Sequence, residues 1–177
     1  MEEKAKRENS EELDDTKITI TMPSTAYFIS GIRDFTLNLV KNTTQFQEKW
    51  AFRFQSVIDE LCNNAIEYGS LKGSEIRITF KYAKNDYLEI AVEDTGTGKN
   101  KIKAEQLQKM FEEKRAPGYV FSGIRGRGLA KIVGEWTDEI NFEDRVGGGI
   151  KVSVKKYLKD PRYEPGNIAK KTEVLTI

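Results

Sequence analysis

The chain contains no histidine. That absence removes imidazole general bases, histidine metal ligands, a Ser-His-Asp triad and any phosphohistidine relay carried by these residues. Cysteine is nearly as scarce. Cys62 stands alone, so no disulfide forms within the chain, which fits a reducing compartment. No apolar run is long enough to span a bilayer, and the charged start from Met1 to Thr16 has no apolar signal-peptide core. A soluble, cytoplasmic protein is expected. An excess of charge is missing too: 29 Lys and Arg stand against 28 Asp and Glu, which gives no case for direct nucleic-acid binding or for an acidic membrane surface. Internal repeats are also lacking. At 177 residues the chain accommodates one domain with tails and not two comfortable ones.

What is present is organised around residues 54–69. Phe54, Val57, Ile58, Leu61, Cys62 and Ala65 recur at the 3.6-residue helical period and define one face that must be buried. Glu60 and Asn64, one turn apart, project from nearly the same side, roughly 40° from each other about the axis. They lie on the flank of the apolar stripe, where a carboxylate can take a proton and a carboxamide oxygen can meet a hard cation.

Around this helix the pattern is that of an α+β domain. Residues 1–16 form a charged tail too poor in apolar side chains to order itself. Ile18, Ile20 and Met22 alternate with Lys17, Thr19 and Thr21, giving a strand that stops at Pro23, and Ser24 reads as the N-cap of a helix from Thr25 to about Lys41. Asn42-Thr43-Thr44 reads as a break. Ile76 to Tyr82 and Leu88 to Val92 alternate about an Asn85-Asp86 turn, a hairpin apolar on one face and charged on the other. A short helix is expected near Ala104 to Lys114, inside a long Gly- and Pro-punctuated connection that reads as a lid. A second hairpin, Glu139 to Phe142 and Ile150 to Val154 about a turn at Arg145 to Gly149, closes a domain of residues 17–157. Residues 158–177 read as an extension.

Two glycine motifs accompany the helix: Asp94-x-Gly96-x-Gly98 at a strand end, and Gly126-x-Gly128-Leu129 at a helix start. Together the three segments make physical sense as a nucleotide site. Gly126 and Gly128 let the backbone approach a polyphosphate, and the free N–H groups of the following helix add positive potential. Arg125, Arg127 and Lys131 are close enough in sequence to supplement it. Asn64 would hold Mg²⁺ with phosphate oxygens and water completing the shell. Asp94 can accept a hydrogen bond from the exocyclic amine of adenine, with Gly96 and Gly98 leaving a flat slot for the ring. Glu60 would stand near the terminal phosphate as general base for a hydroxyl or water.

Glu60-x-x-x-Asn64-Ala65, Asp94-x-Gly96-x-Gly98 and Gly126-x-Gly128-Leu129 resemble the N box and the two glycine boxes of the GHKL ATPase superfamily, which includes gyrase-type, chaperone-type, histidine-kinase and mismatch-repair ATPases. The resemblance covers about residues 17–157. It implies the two-layer Bergerat α/β sandwich, a mostly antiparallel sheet with helices on one face, binding ATP and Mg²⁺. Within the superfamily the chain looks most like the small bacterial anti-sigma-factor serine/threonine kinases, by its short lid, its Pro23-Ser24 opening and its single-domain size. That family implies a homodimer that sequesters a sigma factor and phosphorylates a small antagonist protein, switching partners. There the residue matching Glu60 activates the acceptor hydroxyl, the one matching Asn64 binds Mg²⁺, and the one matching Asp94 reads adenine. Two positions depart from the pattern. Gly149-Ile150 stands where the family has Gly-Thr, removing a hydroxyl beside the adenine-reading Asp, and Tyr68 stands where histidine is frequent. Two alternatives to the kinase are a nucleotide-gated binding module without transfer chemistry and a stand-alone catalytic domain serving a histidine-bearing partner.

Overall fold

The computed structural model describes residues 15–98, 102–120 and 128–159. Five strands form one antiparallel sheet: β1 (Thr16–Pro23), β2 (Glu75–Ala83), β3 (Tyr87–Glu93), β4 (Glu139–Asp144) and β5 (Ile150–Tyr157), in the spatial order β1-β2-β3-β5-β4. Alternation sets the register. Ile20 faces Ile78, Phe80 faces Ile90, and Val92 pairs with Ile78 on one side and Val152 on the other, so the apolar residues line a single face. Two helices cover that face, α1 (Ile29–Thr43) and α2 (Glu48–Asn64). The result is an α+β sandwich whose core joins Ile32, Leu39 and Val40 of α1 to Phe54, Val57, Ile58 and Leu61 of α2 and to the inward residues of the strands.

The first strand begins earlier than its composition suggests. Thr16 already pairs with Tyr82, and Asp15 accepts a hydrogen bond from Tyr87 Oη at 3.0 Å and pairs with Lys81 at 2.9 Å, so Asp15 and Thr16 are held on the sheet. The cap after Pro23 is also displaced by one residue. Ser24 is buried and its hydroxyl has no hydrogen-bond partner among the described residues, whereas the Thr25 hydroxyl accepts from the Tyr27 N–H at the start of a 3₁₀ turn, Ala26–Phe28, that leads into α1. At the other end Thr43 does not break the helix. Thr43 and Thr44 donate their hydroxyls back to the Leu39 and Val40 carbonyls four residues earlier, at 2.6 and 2.7 Å, so their side chains fold onto the last turn instead of ending it.

The β2–β3 hairpin turns through Lys84, Asn85 and Asp86, closed by an Asp86 N–H to Ala83 carbonyl bond of 3.1 Å; among the described residues none other than glycine has positive φ, so this is not one of the mirror-image two-residue turns. Between β3 and β4 lies α3 (Ala104–Arg115), packed on β4 through a Phe111–Phe142 ring contact with centroids 5.6 Å apart. Its first N–H groups need acceptors. Asp144, from the end of β4, accepts from the Ala104 N–H at 3.0 Å. The glycine-preceded segment after it is not the regular helix that its spacing predicts: Leu129–Val133 is a π-helical turn, followed by the short α4 (Gly134–Trp136). The wider turn buries Ala130 and Val133 and leaves Leu129 against the core edge. Entry into β4 is fixed by a buried pair, Lys156 Nζ to Asp138 Oδ1 at 2.8 Å, with the Tyr157 N–H completing the carboxylate at 2.8 Å.

Among the described residues no helix is long and apolar enough to cross a membrane. Cys62 is fully enclosed in the α2 stripe, and burial, with Asp59 adding to it, pushes its thiol up to about 12. The thiol therefore stays protonated at pH 8 and should be inert to a thiol-labelling reagent until denaturant unfolds the protein; rapid stoichiometric labelling of the native protein would contradict this placement.

Candidate functional site

Burial of the α2 stripe fixes the rotation of that helix. Phe54, Val57, Ile58, Leu61 and Cys62 are all at most 2% exposed, which turns Glu60 and Asn64, both half-buried, toward the edge of the sandwich. There they line a cavity of about 780 Å³ shared with Asp94, Thr95 and Gly96 from the end of β3, Leu129, and the β4–β5 turn from Arg145 to Ile150. Lys103, Leu107, Met110 and Lys114 close another side from α3 and the residue before it.

The two polar groups on α2 are joined. Asn64 Nδ2 donates to Glu60 Oε1 at 2.8 Å, which leaves the Asn64 carboxamide oxygen free of that bond and Glu60 Oε2 outside it. Gly128 packs directly against this carboxylate, and a Cβ built there would overlap the Glu60 side chain. Beyond Asn64 the helix does not stop but widens into a π-helical turn, Ala65–Gly69. That extra residue per turn carries Gly69 under Asp94, where again no side chain fits.

Asp94 is held from several directions. Its Oδ1 accepts from the Gly96 N–H at 2.8 Å and from the Ile150 N–H at 3.2 Å, and its own N–H donates to the Ile150 carbonyl at 3.1 Å. The donor from position 150 is a main-chain N–H and does not depend on the side chain, while the Ile150 side chain is buried and puts an apolar group in the cavity wall. Gly149 brings that donor in. Its φ of +89° and its contact with the Asp94 carbonyl both exclude a side chain. Burial raises the Asp94 carboxyl above the ordinary 3.8, opposed by the two main-chain hydrogen bonds and by the positive charge of Arg145.

A ring of hydroxyls ties the loop after Asp94 to the end of the π-helical turn. Thr95 donates its N–H and its hydroxyl to Ser70 Oγ, both at 3.2 Å, Thr95 and Thr97 hydroxyls lie 2.7 Å apart, and the Leu71 N–H reaches Thr97 at 3.1 Å. Gly98 is not a cavity wall. Its N–H donates to the Gly69 carbonyl at 3.1 Å and its Cα sits against the Tyr68 carbonyl, so it locks the loop to the helix end instead of shaping a ring slot. Leu129 lines the cavity; Lys131 is exposed and does not. Arg125, Gly126 and Arg127 lie outside the described residues.

Sequence reading did not single out Arg145, Ser70, Thr95 or the α3 side chains. Arg145 passed for a turn residue, although its guanidinium bonds the Asp94 carbonyl and pairs with Glu93 at 2.9 Å across some fifty residues of sequence. Among the described residues no three or more His, Cys, Asp or Glu side chains gather as a metal cluster. A divalent cation here would take one hard oxygen from Asn64 and the rest of its shell from phosphate and water, a ligand set that suits Mg²⁺.

A family model described as histidine kinase-, DNA gyrase B-, and HSP90-like ATPase matches residues 51–160, more than half of the chain and all three site segments. No curated protein matches the chain.

Proposed function

The chain belongs to the histidine kinase-, DNA gyrase B- and HSP90-like ATPases, and from that premise we propose that it is an ATP-dependent protein serine/threonine kinase acting as an anti-sigma factor. In this reading it phosphorylates a small antagonist protein in a partner-switching pathway, works in the cytoplasm as a homodimer, and alternates between that antagonist and a sigma factor. ATP binding follows from family membership. The finer role rests on one observation: a carboxylate, Glu60, held at the cavity edge by Asn64 at 2.8 Å and pressed by Gly128, where nothing bulkier than hydrogen separates it from the backbone.

Each residue has a task that its surroundings suit. Asp94, with Oδ1 already saturated by two main-chain donors, offers its remaining oxygen to the exocyclic amine of adenine. Asn64, oriented by its own N–H to Glu60, offers Oδ1 to Mg²⁺. When bound, that cation would neutralise charge on the phosphates. Glu60 accepts the proton of a serine or threonine hydroxyl, which raises the nucleophilicity of the oxygen as it approaches the terminal phosphoryl group. The α3 side chains Leu107 and Met110 give the cavity an apolar wall on the side where the hydroxyl would approach.

The test is transfer of labelled phosphate from ATP to a cognate antagonist, read as phosphoserine or phosphothreonine. Glu60→Gln keeps an oxygen to accept the Asn64 N–H but cannot take a proton, so transfer should fall by about 10²- to 10⁴-fold while ATP affinity stays within a few-fold. Undiminished transfer by this variant, or no transfer by the parent protein to any cognate antagonist despite ATP binding, would overturn the kinase reading. A second outcome concerns pH. The ionised Asp94 is the form that accepts the amine, and its pKa is raised by burial, so adenine nucleotide affinity should be full above that raised value and fall as pH drops through it, beginning above the range of an ordinary aspartate. Asp94→Asn should remove this pH dependence together with most of the affinity; an unchanged profile would show that Asp94 does not touch the base.

A further inference from the structure

Arg145 governs both supports of Asp94. Its main chain closes the β4–β5 turn, with the Arg145 N–H donating to the Gly149 carbonyl at 2.9 Å and the Arg145 carbonyl accepting from the Gly148 N–H at 3.1 Å. That turn delivers the Ile150 N–H to Asp94 Oδ1. Its side chain reaches back across the sheet end, Nε pairing with Glu93 at 2.9 Å and Nη1 donating to the Asp94 carbonyl. The bonded carbonyl belongs to the peptide that leads into the Asp94-to-Gly96 turn, where the second donor to Oδ1 resides. The Arg145 side chain is only 26% exposed, and the residue lines both the large cavity and a small one of about 160 Å³ that it shares with Thr21, Arg77, Glu93 and Thr95.

We propose that Arg145 is a positioning residue for adenine recognition: a forked clamp that fixes the Asp94 peptide and the β4–β5 turn together, so that the free carboxylate oxygen of Asp94 points at the amine of the base. The inference rests on the reading of Asp94 as the adenine acceptor. A simple ion pair with Glu93 does not account for the geometry, because Arg77 already lies 3.7 Å from the same carboxylate and because the second guanidinium nitrogen is spent on a carbonyl. The planar fork is what allows one side chain to hold a carboxylate and a carbonyl on successive residues; an ammonium group supplies the charge but not the second fixed donor.

The experiment compares the full-length parent protein, Arg145→Gln, Arg145→Lys and Asp94→Asn for binding of ATP and of purine riboside triphosphate, which differs from ATP only in lacking the exocyclic amine. The parent should prefer ATP by about 10- to 150-fold, the worth of one hydrogen bond to a charged acceptor. Both Arg145 variants should lose this preference through weaker ATP binding alone, with binding of the amine-free analogue unchanged, and melting curves should confirm that at least one of them is folded. Retention of the parent's preference by the lysine variant would reduce Arg145 to a charge and overturn the clamp, as would equal weakening for both nucleotides. A parent protein that binds the two nucleotides equally, or an Asp94→Asn variant that keeps the preference, would instead remove the underlying reading of Asp94.

Discussion

The enclosed stripe of α2 is the constraint on which the rest of the molecule depends. Six apolar residues from Phe54 to Ala65 meet the inward face of the sheet, and the cost of exposing any of them prevents the helix from rotating about its axis. Rotation in turn decides where Glu60 and Asn64 point. A turn of one residue would carry both into solvent or into the core, and a carboxylate driven into the core without a partner is among the costliest changes a fold can suffer. The orientation of the cavity's polar edge is therefore a by-product of packing: the same contacts that stabilise the sandwich aim Glu60 and Asn64 into the cavity.

A second theme is the pairing of carboxylates with glycine. Gly128 lies on Glu60, and Gly69 and Gly149 lie on Asp94, each so close that a methyl group would collide. Bare backbone at these points lets main-chain dipoles approach an anionic side chain and keeps space open for a ligand on the other side. The π-helical turn Ala65–Gly69 ends on one of these glycines, and the turn Leu129–Val133 directly follows another, so both irregular turns adjoin the same cavity.

Much of this was legible in the sequence. Period-two alternation located the strands of both hairpins and helical spacing located α2; of the residues in the two glycine motifs, Asp94, Gly96 and Leu129 line the cavity beside Glu60 and Asn64. What was not legible depends on partners far away in the chain. Nothing local distinguishes Ser24 from Thr25 as the cap, since the choice turns on which hydroxyl faces a free N–H once Pro23 has been placed by β2. The π-helical turns have no spacing signature because tertiary contacts impose them. Gly98 read as part of a ring slot, yet its place is set by the Tyr68 and Gly69 carbonyls. Arg145 was hidden for the same reason: its contacts with Glu93 and the Asp94 carbonyl exist only once β3 and β5 are paired.

The central claim is that the α2 flank, the loop after β3 and the segment from Gly128 surround one bound adenine nucleotide. It is tested most directly by amide spectra of isotopically labelled protein during titration with Mg²⁺ and a non-hydrolysable ATP analogue. The account predicts saturable shifts concentrated at the Asn64 side-chain amide and at the main-chain amides of Gly96, Gly128 and Ile150, with the open face of the sheet unmoved. Saturable binding with shifts clustered away from these residues, or no response at millimolar nucleotide, would contradict it.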